Sequence, residues 1–177
     1  GICRTIMVLK LLTYAKGYSG VSIDLVEKII QLLNKDIVPY IPKKGSVGAS
    51  GDLAPLAHLG LTLIGEGVSY YEGRKMRTKS ALSKAKINPI SLKAKEGISL
   101  INGTQVSSAI AISTLLSGEN LLKTSDVIGA ISVENSLSSR EVFRSEVHQL
   151  KEHKGQRDSA RNIYRMLKGS KIVGSHK

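Results

Sequence analysis

The chain has 177 residues, 41% of them hydrophobic and 4% aromatic, with 26 Lys and Arg against 14 Asp and Glu for a formal net charge of +12. This is long and apolar enough to bury a core, which excludes intrinsic disorder, and the single cysteine excludes a disulfide framework. No apolar run reaches bilayer length, and the basic residues are scattered without Arg-rich tracts or interleaved aromatics, so the charge reads as a solvated Lys-rich surface and neither membrane nor nucleic acid is an expected partner.

Residues 2–16 place apolar side chains at helical spacing, with Ile6, Leu9 and Thr13 on one face and Gly17 as a C-terminal cap. Ser22 caps a second helix in which Ile23, Val26, Ile30 and Leu33 recur at steps of three and four, stopping at Asn34. Pro39, Pro42, Gly45, Gly48 and Gly51 then forbid regular helix over residues 35–51. Asp52 reads as the cap of a third helix, with Pro55 tolerated in its first turn and Leu56, Leu59, Leu63 and Ile64 along it; Gly65 and Gly67 end it. Residues 68–77 form a short hairpin around Glu72-Gly73, the one convincing strand signal. A modest helix at 79–86 closes at Asn88-Pro89. From about 95 to 138 the pattern is helical with a break near Asn102-Gly103, its apolar content coming from Ile110, Leu115, Leu122, Ile128 and Ile131. A last helix covers about 156–167, after Gly155. With no repeat and no linker, the expected fold is mainly α, a helical bundle segment with one short β-hairpin, forming a single unit over 1–177.

The stretch that carries chemistry is Val38 to Gly67, VPYIPKKGSVGASGDLAPLAHLGLTLIGEG. Gly48-Ala49-Ser50-Gly51 is a run of small residues between a constrained loop and a helix start. Small side chains let backbone groups approach closely, and the donors of the following helix favour negative charge nearby. By themselves these features describe a tight turn, and the pattern does not fit a phosphate loop.

The full string resembles the signature of the aromatic amino acid lyases, the histidine and phenylalanine ammonia-lyase family. The triplet is embedded in Gly48-Ala49-Ser50-Gly51-Asp52-Leu53-Ala54-Pro55-Leu56. Lys16-Gly17-Tyr18-Ser19-Gly20-Val21 is similar to the family's segment ahead of the loop, and Lys95-Glu96-Gly97 with Ile101-Asn102-Gly103-Thr104-Gln105 is similar to its second signature. The resemblance implies that Ala49, Ser50 and Gly51 cyclise without an external cofactor. The Gly51 amide nitrogen attacks the Ala49 carbonyl carbon, and two waters leave, one from the Ser50 side chain, to give a 4-methylidene-imidazol-5-one ring. It implies that Asn102 hydrogen-bonds in the active site and supports ring and substrate. The implied reaction is elimination of ammonia from an aromatic amino acid, with histidine preferred and urocanate as product. Tyrosine or phenylalanine as substrate is the alternative, since Val47-Gly48 and Ala54-Pro55-Leu56-Ala57-His58 mark a tendency only. The single cysteine and the lack of a bilayer-length run or a signal segment make the cytoplasm the expected compartment, and the family also implies a homotetramer whose active sites combine several subunits.

The resemblance covers the whole chain but only part of the family's length. Gly1 in place of a methionine is a first hint of a fragment, and a truncated paralogue without catalysis is the competing class. The family's tyrosine base lies ahead of this sequence. The run Ile172-Val173-Gly174-Ser175-His176-Lys177 is similar to the approach to a motif holding a second tyrosine and the carboxylate-binding arginine. Tyr40, Tyr70 and Tyr71 match neither role and read as surface or hairpin packing. His58 falls among apolar residues and reads as a packing residue; Cys3 reads as a small core residue. His148 and His153 have poor metal spacing and no cysteine or carboxylate cluster beside them, so no metal is expected.

Overall fold

A computed structural model describes residues 1–175; His176 and Lys177, the end of the run read above as leading toward the next family motif, lie outside the described residues. The chain sorts into two compact units, residues 1–114 and residues from 115 onward. The sequence reading expects one unit because no Gly- or Pro-rich linker marks a division. The boundary falls inside a continuous helix, where no such signal is written.

In the first unit, α1 (Ile2–Tyr14) and α2 (Ile23–Asn34) pack together and are followed by β1 (Val38–Pro39), α3 (Leu53–Leu63), β2 (Val68–Tyr71), β3 (Arg74–Arg77), α4 (Thr78–Ala85) and α5 (Glu96–Ile101); α6 (Gln105–Asn135) begins here. The helix positions agree with the sequence pattern, but two of the buried faces do not. On α1 the buried residues are Ile6, Met7, Lys10 and Tyr14, while Thr13 is exposed. On α2 they are Leu25, Ile29 and Leu32, and Ile23 is 67% exposed. Both helices carry apolar residues on adjacent rows, and the neighbouring helix, not periodicity, selects which row is buried.

The main core joins Met7, Leu25, Ile29, Leu32, Leu59 and Leu63, all without solvent exposure, with Leu100 of α5. Each such Leu or Ile contributes about 2 kcal/mol by leaving water. A second cluster of Ile6, Leu56, Val106 and Ala109 ties α1, α3 and the start of α6 together. These clusters fix the relative placement of the loops at the start of α3 and of α6.

The hairpin is present and gains a third strand. β1 pairs antiparallel with β2 (Val38 with Tyr70, Pro39 with Ser69), and β2 with β3. Pro39 is tolerated because β1 is an edge strand. Two residues are too few for an alternation signal, which is why β1 is absent from the sequence reading.

The second unit contains the rest of α6, a 3-10 turn (Arg140–Phe143), the single-turn α7 (Ser145–His148) and α8 (Lys154–Met166). The two short elements are new relative to the sequence, and α8 begins slightly earlier than read. Ala130, Leu167 and Val173 form its small core with Val133, Phe143 and Ile163 against them. Ile110, Leu115, Leu122, Ile128 and Ile131, read as the apolar content of α6, are all between 46% and 68% exposed.

Candidate active site

The loop of residues 45–52 and the turn between α5 and α6 meet in the first unit. Asp52 donates its backbone N–H to the Gly103 carbonyl at 2.7 Å. Gly51, at φ +101°, lies so close that a Cβ there would stand 2.6 Å from the same oxygen and 3.0 Å from the Gly103 nitrogen. A Cβ on Gly103 would meet only the movable end of the Gln105 side chain, Oε1 at 2.2 Å, but its φ of +154° is one that side-chain-bearing residues rarely adopt. The two backbones therefore touch where residue 51 has no room for a side chain.

Of the four residues singled out by sequence, Ala49 and Ser50 sit on the exposed outer part of the loop, Gly51 at its contact with Gly103, and Asn102 next in chain to that contact. Asn102 is the residue that closes α5, its N–H donating to the Ile98 carbonyl at 2.9 Å. The structure thus brings the two signatures together through Gly51, Asp52 and Gly103.

Asp52 organises the junction. It stands at the N-terminus of α3, as the sequence suggests, but its side chain makes no capping bond there. Its Oδ2 instead accepts from the Ser107 N–H at 2.8 Å, and Oδ1 accepts from the hydroxyls of Ser107 at 2.7 Å and Ser46 at 2.6 Å. Ser107 lies in the first turn of α6, whose N–H groups have no intrahelical partner, so Asp52 caps a helix it does not belong to. The carboxylate has no solvent exposure. Burial is the largest influence and disfavours its charge, but the donated bonds of Ser46 and Ser107 together outweigh it and hold the carboxyl below its ordinary range. Ser46 Oγ also accepts from the Gly48 N–H at 3.2 Å, which shapes the approach to the triplet.

Lys10, 1% exposed on the buried face of α1, also reaches the turn. Its Nζ donates to the Asn102 carbonyl at 3.1 Å and to Gln105 Oε1 at 3.5 Å, and stands 5.5 Å from the centre of the Tyr14 ring. Gln105 donates in turn to Thr13 Oγ1 at 3.1 Å. Lys10, Ser46 and Ser107 are absent from the sequence reading. A signal for Lys10 existed: it follows Ile6 by four and Met7 by three, which puts it on their stripe.

The remaining candidates lie elsewhere or in packing. His58 is half-buried on α3. Tyr40 and Tyr70 pack in the sheet with ring centres 6.2 Å apart, and Lys75 Nζ sits 3.4 Å over the Tyr40 ring. Cys3 is half-buried, and burial raises its thiol pKa. His148 is engaged with the Val142 carbonyl at 2.9 Å and Gln156 Nε2 at 3.0 Å. Among the described residues no three His, Cys, Asp or Glu side chains gather as a metal-binding group.

The sequence profile described as aromatic amino acid lyase matches residues 1–177. The chain belongs to the aromatic amino acid lyase family. It is 44% identical over 173 residues to the histidine ammonia-lyase of Myxococcus xanthus, covering 98% of this chain and 34% of that protein, and 46% identical to that of Yersinia enterocolitica, covering 99% and 35%. Solved structures similar to it include the histidine ammonia-lyase of Trypanosoma cruzi (TM-score 0.89, 32% identity, 97% of this chain and 34% of that one). The phenylalanine aminomutase of Pantoea agglomerans is equally similar (TM-score 0.90, 34% identity, 97% and 33%). The chain spans about a third of the length of the relatives it matches.

Proposed function

We propose that this chain is the electrophile-bearing segment of a carbon–nitrogen lyase that eliminates ammonia from L-histidine to give urocanate. The observation that carries the proposal is the backbone contact at Gly51. Residue 51 must be glycine on steric grounds, and a glycine leaves an unhindered amide nitrogen next to the small residues Ala49 and Ser50. These are the residue types that cyclisation to a 4-methylidene-imidazol-5-one ring requires, so the residues present fit the group. Once formed, that ring supplies an electrophilic alkene to the amino acid substrate.

The chain's own residues have three tasks. Asp52, held by Ser46 and Ser107, fixes the loop that carries the triplet. Gly103 accepts the Asp52 N–H and brings the Asn102 side chain to the same junction, where its amide hydrogen-bonds ring or substrate. Oriented groups of this kind lower a barrier because their ordering is complete before reaction. The proton-abstracting base and the carboxylate-binding arginine implied by the family are assigned to no residue of this chain.

Histidine is favoured because the relatives above at 44% and 46% identity are histidine ammonia-lyases. A tyrosine or phenylalanine lyase is the second reading, since similar folds include phenylalanine ammonia-lyase of the yeast Rhodosporidium toruloides, at TM-score 0.90 and 27% identity. The proposed assembly is a homotetramer in the cytoplasm: the single cysteine suits a reducing compartment, and Leu115, Leu121 and Leu122 on α6, 65% to 71% exposed, suit an interface. Among the described residues no helix is long and apolar enough to cross a membrane.

Peptide mapping across residues 45–60 tests the chemistry. A mass short by two waters at Ala49-Ser50-Gly51 is expected, and an unmodified triplet in the complete polypeptide would remove the proposal. Ammonia release from histidine, tyrosine and phenylalanine decides the substrate, with histidine expected to react fastest.

A further inference from the structure

Among the described residues Lys10 is the one buried cation at the junction, and the proposed chemistry leaves it unused. Burying an ammonium without a counter-ion is costly, and among the described residues no carboxylate pairs with it. An apolar residue would fill this place between Ile6, Met7 and Tyr14 on α1 at lower cost. What a lysine adds is a reach across to the Asn102 carbonyl and Gln105 Oε1. The Asn102 carbonyl belongs to the residue that closes α5, in extended conformation at φ −88° and ψ 116°, so it stands outside the helix's own hydrogen bonding.

The two peptides that flank Gly103 are each held by a hydrogen bond. Lys10 holds the Asn102 carbonyl, and the Asp52 N–H holds the Gly103 carbonyl at 2.7 Å. Gly103 between them, at φ +154°, has no side chain to stiffen it. These two bonds fix the backbone from which the Asn102 side chain projects. We infer that Lys10 is a positioning residue: its ammonium anchors the Asn102 carbonyl and so holds the Asn102 amide toward the Ala49-Ser50-Gly51 loop.

This inference rests on the lyase reading, and the test separates the two. The complete polypeptide is made as wild type, Lys10→Met and Lys10→Arg, with dehydration of the triplet read by peptide mapping and histidine turnover expressed per dehydrated triplet. Lys10→Met removes the donors and keeps the volume; Lys10→Arg restores donors. Displacement of a positioned group by about an ångström costs on the order of a hundredfold in rate, so Lys10→Met is expected to lose at least tenfold in kcat with KM within about twofold. It should also dehydrate more slowly than wild type. Lys10→Arg should recover most of both. A purely structural role would lower the amount of dehydrated protein and leave kcat per dehydrated triplet unchanged. If Lys10→Met does not fold, Lys10→Gln takes its place in the same comparison. Absence of dehydration in wild type would overturn the lyase reading and this inference with it. Normal dehydration in wild type, with Lys10→Met equal to it in both rate and kcat, would overturn the role of Lys10 alone.

Discussion

A Cβ on residue 51 would press on Gly103 from a φ of +101°, so Gly51→Ala forces the backbone to move on both sides of the junction. The expected cost is about 2 kcal/mol in urea denaturation, together with loss of the two-water deficit in intact mass. Asp52 offers a graded test. Asp52→Ala orphans the Ser107 N–H and two hydroxyls and should cost about 3 kcal/mol. Asp52→Asn should cost about 1 kcal/mol, because the hydroxyls of Ser46 and Ser107 can rotate to accept from an amide while its oxygen keeps the Ser107 N–H. Equal melts for the two variants would contradict the capping geometry. At this scale the sequence showed Asp52 as the cap position of a helix and the triplet by its neighbours. It did not show that the carboxylate serves Ser107, 55 positions away, since a contact across that distance leaves no local pattern.

Helix extents were legible from caps and breaks, as at Ser22, Asn34 and the break at Asn102-Gly103. Helix faces were legible only where one apolar row existed. On α3 Leu56, Leu59 and Leu63 are fully buried, while Ile64, read along with them, is the half-buried C-cap. On α2 two rows compete, and Ile23 lost to Leu25. Glu96 shows how elements are joined beneath the site. It is 1% exposed and accepts from the Ser22 N–H at 2.9 Å, the Ser22 hydroxyl at 2.6 Å and the Lys93 N–H at 2.6 Å, tying the start of α2 to the start of α5. Ser99 adds a bond to the Ser19 carbonyl at 2.8 Å. Glu96→Ala is expected to cost about 3 kcal/mol and to raise amide hydrogen exchange at the start of α2 and along α5, with little change in α8. Uniform exchange changes over both units would argue against this local role.

For the molecule as a whole, pH acts in opposite senses at the acid and the alkaline extremes. The carboxyls of Asp52 and Glu96 lie below their ordinary values of 3.8 and 4.5; in both, burial opposes the charge and hydrogen bonds prevail. The unfolded chain then binds more protons in acid, so their stabilisation is complete above those values and is lost as pH falls through and below them. Burial holds the Lys10 ammonium down to about 8 from 10.5. Between those values the unfolded chain again binds more protons, and stability should rise with pH by up to about 3 kcal/mol. The Tyr14 hydroxyl, raised above its ordinary 10.0 by burial and then by the charge of Glu96, reverses the trend above about pH 10. Urea midpoints from pH 3 to 11 should therefore climb out of acid, rise again above pH 8 and fall beyond pH 10; a steady fall from pH 7 to 10 would refute the assignment to Lys10. The bonds from Asp52 to Gly103 and Ser107 also set an order in time. They close a loop of some fifty residues, so the contact beside the triplet is expected to form late, after α3, the hairpin and α5 have assembled. On the proposed chemistry, dehydration is covalent and outlasts later unfolding. The dehydrated fraction of a preparation would then count the chains that had ever completed their fold, including those that have since lost it.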